Sequence, residues 1–177
     1  MTRNYFLHTD RLGFSTWTSE DLPLALELWG DPAVTRYICA SGAFSAQEVE
    51  DRLHTEIANE SLYQVQYWPL FSLDTSELVG CCGLRPHGDR VYELGVHLRP
   101  QFWGQGFAQE AASAAIHYAF DTLGAKKLFA GHNPQNERSR ALLSKLGFTF
   151  IGTEFYEPTG LYHPSYELEN PQPRDGA

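Results

Sequence analysis

The sequence lacks any run of about 18 consecutive apolar residues, the length that a membrane-spanning helix needs. Its first residues, MTRNYFLHTDRLGF, also lack the apolar core of a secretory signal peptide. These two absences predict a cytoplasmic protein with no membrane partner. A chain of 177 residues is long enough for one domain with a substantial core. We expect that domain to span residues 1–169, followed by a loose tail over 170–177.

Basic residues are scarce, with 13 Lys and Arg against 22 Asp and Glu, so that the formal net charge is -9. Proteins that bind nucleic acids usually present a basic face. The charge therefore argues against a nucleic-acid partner. It is compatible with a cationic partner, although many soluble proteins that bind no cation are also acidic.

Cysteine is also rare, because the chain has only Cys39 and the adjacent pair Cys81 and Cys82. An odd number at this spacing fits neither a disulfide framework nor a zinc site. We therefore predict reduced thiols that serve packing, with Cys81 and Cys82 in a strand, and no bound metal.

Apolar periodicity and turn residues predict an α/β fold with a mixed sheet and helices packed on it. The predicted element order is β-α-α-β-β-β-α-β-α-β-β. A first strand covers LHTDRLGFSTW, and a capping box of Ser45 and Glu48 starts the second helix. Turn residues in DTS and HGD join three strands into a meander. The third helix ends at Gly124, and Gly147 closes the fourth.

Two glycines stand where the third helix must begin, in the segment RPQFWGQGFAQEAASAAIHYAF. Glycine is unfavourable inside a helix, but it allows backbone conformations and close approaches that a side chain would prevent. The first N–H groups of a helix lack partners and carry partial positive charge. Gly104 and Gly106 therefore indicate either a tight turn alone or a cradle for a phosphate group.

Two familiar phosphate-binding motifs do not fit this segment. A P-loop requires Lys and then Ser or Thr after its last glycine, and none follows Gly106. The dinucleotide fingerprint requires a third glycine, and Gln109 occupies that position. The turn also follows predicted hairpins, whereas that fingerprint follows the first strand of a βαβ unit.

The segment Gln101-x-x-Gly104-x-Gly106 resembles the acyl-coenzyme A pyrophosphate loop of the GNAT acetyltransferase superfamily. TDRLGFSTWTSEDLPLALELWGDPAV is similar to the N-terminal strand and helix of the Rim-type branch, which acetylates ribosomal-protein N-termini and other amines. ELGVHLRPQFWGQGFAQEA and NERSRALLSKLGF resemble two later segments of the same superfamily, in the same order. The resemblance covers most of residues 9–168 and implies the GNAT acyl-coenzyme A N-acyltransferase fold.

The resemblance implies an N-acetyltransferase that moves the acetyl group of acetyl-coenzyme A to a primary amine in a ternary complex. A non-catalytic acyl-coenzyme A-binding or regulatory domain is the alternative, because it would keep the glycine loop. The implied coenzyme contacts are the loop, the strand before it and the start of the fourth helix: Val96, Leu98, Gln101, Phe102, Trp103, Gly104, Gln105, Gly106, Phe107, Asn136 and Ser139.

Acetyl transfer needs a base, because the attacking amine must be neutral. In VYELGVHL, alternation places Glu93 and His97 on one face of the strand that leads to the loop. Superfamily members are thought to use a glutamate on this strand, so Glu93 is the first candidate. His97 is a second, because its ordinary pKa of about 6.5 suits proton transfer, and a water molecule is a third.

The leaving thiolate needs a proton or a hydrogen bond. Much of the superfamily has a tyrosine seven residues after the helix asparagine, but this chain has Leu143 at that distance from Asn136. The Rim-type branch has a serine three residues after the asparagine, which here is Ser139. We expect Ser139 to assist the thiolate, and Tyr162 is an alternative acid.

The acceptor site is implied to lie between the first two helices and the loop joining the last two strands. Its candidate residues are Trp29, Tyr37, Tyr162 and His163. The expected acceptors range from a ribosomal-protein-like N-terminus or basic peptide to a polyamine, an aminoglycoside-like drug or an amino acid derivative. We expect a monomer or a homodimer, as is frequent in the superfamily.

Overall fold

The structure, a computed structural model, describes residues 2–174 and contains one eight-stranded sheet. The strands are β1 (Leu7–His8), β2 (Leu12–Phe14), β3 (Tyr67–Ser72), β4 (Leu78–Gly88), β5 (Val91–Leu98), β6 (Lys127–Gly131), β7 (Thr149–Tyr156) and β8 (Leu161–Glu169). Their spatial order is β1-β2-β3-β4-β5-β6-β8-β7. Every neighbouring pair is antiparallel except β5 and β6, which are parallel.

Helices cover both faces of the sheet. They are α1 (Leu22–Trp29), α2 (Pro32–Thr35), α3 (Ala46–Tyr63), α4 (Phe107–His117) and α5 (Glu137–Lys145). Side chains of α4 and Leu143 of α5 join the larger apolar core, which includes Leu94 and Leu98 of β5. Side chains of α1 and α3 form the second core on the opposite face, with Tyr67 and Cys81. The alternation along β5 therefore sends successive side chains into different layers.

The predicted α/β fold with a mixed sheet is confirmed, but the N-terminal strand differs from the prediction. It is divided into β1 and β2, because Thr9 N–H donates to the Leu12 carbonyl and Leu12 N–H donates to Thr9 Oγ1, at 2.9 and 3.0 Å. These two bonds close a tight turn that alternation alone does not reveal. The short helix α2 was also not predicted, and Asp31 caps it by accepting from Ala33 N–H at 2.9 Å.

All three cysteines are free thiols, and Cys81 and Cys82 lie buried in β4, as predicted. Burial raises the pKa of the Cys81 thiol to about 12. Across residues 2–174 there is no helix with the length and apolar character needed to traverse a bilayer. Of the predicted tail, Asn170 is buried and donates to the Ala125 carbonyl at 2.9 Å, whereas residues 175–177 lie outside the described residues. The predicted division of the chain at residue 169 stays a prediction.

Candidate active site

A cleft opens where β5 and β6 separate. The two strands pair over only three positions, the last of which joins Glu93 and Phe129. Beyond that point the cleft runs between residues 94–98 of β5 and residues 130–133. Its volume is about 810 Å³, which is large enough for a substantial ligand.

The backbone of β5 directs unpaired groups into this cleft. Arg99 N–H donates to the Val79 carbonyl of β4 at 2.9 Å, so alternation turns the N–H groups of His97 and Gly95 toward β4 as well. The N–H groups of Val96 and Leu98 consequently point to the other side, where β6 has diverged. Val96 and Leu98 were both predicted to contact the coenzyme, and both line the cleft.

The glycine loop leads from β5 into α4 with its backbone accessible. Gly104 and Gly106 have φ angles of 73° and 81°, which glycine adopts far more readily than other residues. No side chain caps the N-terminus of α4, so its first N–H groups remain open. A Cβ atom added at Gly104 would meet no other atom within 4 Å. The space above Gly104 is therefore free, and the charge of the helix N-terminus favours an anion there.

Contacts from distant parts of the chain hold the loop in place. The Arg11 guanidinium donates to the Gln105 carbonyl at 3.0 Å, pairs with Glu110 at 2.6 Å and lies 4.0 Å from the centre of the Phe107 ring. Trp103 Nε1 donates to the Leu98 carbonyl at 2.9 Å. The loop is thus tied to the turn after β1 and to the end of β5. Nothing local in the sequence singles out Arg11, and its role was not predicted.

The structure brings together some of the predicted coenzyme contacts. Trp103, Asn136 and Ser139 line the cleft beside Val96 and Leu98. The other predicted contacts lie on the loop and the first residue of α4, outside the cleft wall; they are Gln101, Phe102, Gly104, Gln105, Gly106 and Phe107. Gln105 Nε2 donates to the Gln101 carbonyl at 2.8 Å, which engages one side chain within the loop itself.

Asn136 and Ser139 meet at the start of α5. Asn136 caps the helix, because its Oδ1 accepts from Ser139 N–H at 3.2 Å. Among the described residues the Ser139 hydroxyl has no hydrogen-bond partner, and it borders the cleft. Leu143 occupies the position of the missing tyrosine and is buried. The Ser139 hydroxyl can therefore donate a hydrogen bond at this wall of the cleft, whereas the Leu143 side chain cannot.

Glu93 lies where the two strands part. It is opposite Arg85 in the β4–β5 register, opposite Phe129 in the β5–β6 register, and it borders the cleft. Burial raises the pKa of its carboxyl group, nearby Arg85 and His87 oppose this change, and Glu154 adds to it. A carboxylate with a raised pKa is a stronger proton acceptor than an exposed one.

His97 is a weaker proton acceptor than an exposed histidine. Burial lowers the pKa of its imidazole well below the ordinary value, and the charges of Arg52 and Arg85 lower it further. Trp29 Nε1 donates to His97 Nδ1 at 3.2 Å, which requires an unprotonated nitrogen at that position. The ring is therefore neutral and accepts a further proton only weakly. These features favour Glu93 over His97 as the base.

The predicted acceptor residues are divided by the structure. Tyr37 and His163 border the cleft, and the Tyr37 carbonyl accepts from Asn133 Nδ2 at 3.4 Å. Trp29 has no exposed surface and contacts His97 from the core. Tyr162 is 65% exposed, lies outside the cleft wall and packs against Phe155.

Three arginines at this end of the cleft were missed from the sequence, namely Arg36 directly after α2, Arg52 of α3 and Arg85 of β4. Arg85 pairs with the fully buried Glu56 at 2.6 Å. The sequence could have placed Arg85 opposite Glu93 only through the pairing register of the β4–β5 hairpin. A register shift between Pro86 and Gly88 made that pairing impossible to predict from the turn.

Comparison with known proteins shows the family of the chain. The sequence profile of the acetyltransferase (GNAT) domain matches residues 11–149. The uncharacterized N-acetyltransferase YoaA of Bacillus subtilis is 32% identical over 80% of this chain and 81% of YoaA. The ribosomal protein uS5-alanine N-acetyltransferase of Escherichia coli is 34% identical over 46% of this chain and 44% of its own length.

Solved structures share the fold. The crystal structure of a GNAT-family acetyltransferase from Bacillus anthracis superposes with a TM-score of 0.80 and covers 94% of this chain and 99% of that protein. The two sequences are 20% identical in that superposition. At this level of identity the similarity shows a common architecture.

Proposed function

Because the chain belongs to the GNAT acetyltransferase family, as the glycine loop and its flanking segments predict, we propose that it transfers an acetyl group from acetyl-coenzyme A to a primary amine. The match to the uS5-alanine enzyme agrees with the predicted Rim-type branch. The observation that carries the proposal is the divergence of β5 and β6 at Glu93. It puts a carboxylate at one end of a cleft whose other end leads to the open N-terminus of α4.

The coenzyme end has features that suit acetyl-coenzyme A. The uncapped helix N-terminus and the free space above Gly104 suit its pyrophosphate. The N–H groups of Val96 and Leu98 point toward the cleft and suit the amide groups of an extended arm or the thioester oxygen. Asn136 and Ser139 border the same channel.

In the proposed reaction the neutral amine attacks the thioester carbonyl, a C–N bond forms and the C–S bond breaks. Glu93 accepts the proton that the amine loses, directly or through water. Backbone N–H groups of β5 stabilise the negative charge that develops on the carbonyl oxygen. Ser139 donates a hydrogen bond to the departing sulfur. Leu143 cannot donate one, and Tyr162 lies outside the cleft wall.

The demand on the base depends on the acceptor. At neutral pH roughly a tenth of α-amines are unprotonated, because their pKa is about 8, whereas a lysine amine with a pKa of about 10.4 is almost entirely protonated. Glu93 is accordingly sufficient for a peptide N-terminus or a small amine of similar basicity. These are the two acceptor classes that we propose.

The first test is a calorimetric titration with acetyl-coenzyme A, followed by an assay of free thiol release with a panel of primary amines. We expect micromolar binding that Gly104→Val abolishes, because valine resists the φ angle of 73° and fills the space above the loop. Gly160→Val is the matched control, since Gly160 has a φ angle of 69° and equally free space, but lies between β7 and β8.

Absence of binding by the unaltered protein would overturn the proposal. Equal loss of binding in Gly160→Val would show that Gly104→Val acts through general strain. Binding without thiol release from any amine in the panel would instead favour the non-catalytic acyl-coenzyme A-binding domain.

A further inference from the structure

The acceptor end of the cleft contains more positive charge than a protein with a net charge of -9 suggests. Arg36, Arg52 and Arg85 border that end of the cleft, together with the carboxylates Glu93 and Glu154. Glu48 and Asp51 border Arg52 and Arg85 in a second depression. Arg36 is exposed and Arg85 has a buried partner. Arg52 differs from both, because it is partly buried and has no carboxylate within ion-pair distance among the described residues.

Arg85 is fixed in place by α3. Its Nη2 donates to Glu56 Oε1 at 2.6 Å, and its guanidinium lies 4.1 Å from the centre of the Tyr67 ring. Glu56 Oε2 accepts from Tyr67 N–H at 2.7 Å, so both carboxylate oxygens are occupied. Glu56 therefore pairs with Arg85, and it forms no ion pair with Arg52, on which it acts only through its nearby charge.

Arg52 is held by aromatic rings. Its guanidinium lies 5.0 Å from the Trp29 ring centre and 5.6 Å from the Phe44 ring centre. Its Nε is buried and has no hydrogen-bond partner among the described residues. The acidic residues nearest to it along α3 are bonded elsewhere, because Asp51 accepts from Gln47 and Glu48 accepts from Ser45 N–H.

A partly buried guanidinium without an ion pair has lost water, and its two aromatic contacts do not neutralise its charge, so that an anion would bind there favourably. Its preferred ligand is a carboxylate, which matches its planar set of donors. The cleft also offers Glu93, whose proposed task is to receive the proton of an amine. An acceptor with both an amine and a carboxylate could thus present its amine to Glu93 and its carboxylate to Arg52.

We infer that Arg52, supported by Arg85, forms a carboxylate subsite, and that the acceptor is a primary amine whose own molecule carries a carboxylate, such as a free amino acid. The inference rests on the proposed acetyl transfer and narrows its acceptor. It disfavours polyamines, which would place a cation against Arg52. The same carboxylate can also come from an acidic side chain at the start of a peptide.

The experiment compares acceptors in which a carboxamide replaces the carboxylate, with each kcat/KM expressed per unprotonated amine because this replacement also lowers the amine pKa. Glycine, β-alanine and 4-aminobutyrate are each assayed against the corresponding carboxamide, so that three separations of amine and carboxylate are sampled. A peptide with N-terminal Asp is assayed against the same peptide with N-terminal Asn. For at least one pair we expect kcat/KM to be about tenfold to a hundredfold higher for the carboxylate, as for a hydrogen bond to a charged group.

The variant Arg52→Gln should reduce this carboxylate-to-amide ratio at least tenfold, mainly through KM for the acceptor. Arg140→Gln is the matched control, because Arg140 is 68% exposed on α5 and lies outside the cleft wall. An unchanged ratio in Arg52→Gln, or a ratio near one in the unaltered protein, would overturn the inference while leaving acetyl transfer intact. A fall in coenzyme A affinity without a change of ratio would also overturn it.

A binding measurement separates failure of the subsite from failure of the proposed function. N-acetylated amino acids and their carboxamides are titrated into the protein saturated with coenzyme A, which requires no turnover. Tighter binding of the carboxylate, lost in Arg52→Gln and kept in Arg140→Gln, would support the subsite even if no amine is acetylated. Equal binding of the two compounds would contradict it.

Discussion

The two ends of the cleft are built by different means. The coenzyme end depends on backbone: two glycines with positive φ, an uncapped helix and the N–H groups of a diverging strand. The acceptor end depends on side chains from α1, α3, β4 and β5, which ion pairs and aromatic contacts hold in place. A backbone site can be recognised from a short motif, whereas a side-chain site exists only after the whole sheet has formed.

The largest effect should come from a change that separates the chemistry at one end from binding at the other. Glu93→Gln removes the proposed base and keeps the size of the side chain. We expect kcat/KM for the amine to fall about 10²- to 10⁴-fold, while the calorimetric affinity for acetyl-coenzyme A stays within twofold. A rate within a few fold of the unaltered protein would exclude Glu93 as the base, and water would then be the better candidate.

The next effect concerns the ion pair beneath the acceptor end. Arg85→Gln leaves Glu56, which has no exposed surface, without its partner. We expect the free energy of unfolding, measured in urea, to fall by about 3 kcal/mol, as when one partner of a buried pair is removed. The control is Lys126→Gln, whose exposed pair with Asp89 is screened by water, so that its loss should change the stability far less.

The double variant Glu56→Gln with Arg85→Gln sharpens this test. Because it removes both charges, it should recover part of the lost stability. If Arg85→Gln alone unfolds at the same urea concentration as the unaltered protein, the acceptor end does not depend on this ion pair.

A smaller effect is expected at the junction of the two ends. Ser139→Ala removes the hydroxyl proposed to assist the thiolate but keeps the backbone N–H that donates to Asn136. We expect kcat to fall about tenfold, the value of roughly one hydrogen bond. Ser144→Ala on the same helix lies outside the cleft wall and serves as the control. Equal rates in both variants would mean that water or another group, and not Ser139, assists the departing thiolate.

The contrast between the two ends also explains what the sequence could predict. The glycine loop was recognisable because its chemistry belongs to six consecutive residues. The face of Glu93 followed from alternation within β5. Arg52 was not recognisable, because its place depends on how α3 packs against the sheet. Trp29 was predicted at the acceptor site but lies in the core. The sequence could not distinguish the two places, because a tryptophan on an amphipathic helix is compatible with either.

Details of the fold show the same limit. Helix α5, which is the fourth helix of the prediction, and its cap at Gly147 follow from local patterns and agree with the structure. The division of the first strand at Thr9 does not, because it depends on one backbone–backbone hydrogen bond and one hydrogen bond to the Thr9 hydroxyl. The Arg11 contacts with the loop join positions almost a hundred residues apart, and no local pattern signals a contact at that separation.

The smallest expected effect is a change of pH dependence at the acceptor end. Glu154 raises the pKa of Glu93, and its influence is the weakest of the four that act on this carboxyl group. Glu154→Gln should therefore lower the pKa of Glu93. Since a base works only when it is deprotonated, and activity is lost as pH falls through its pKa, the acid limb of kcat/KM should move to lower pH. The plateau at higher pH and the affinity for coenzyme A should change little. An acid limb that moves upward, or that Glu93→Gln leaves in place, would assign this ionisation to another group.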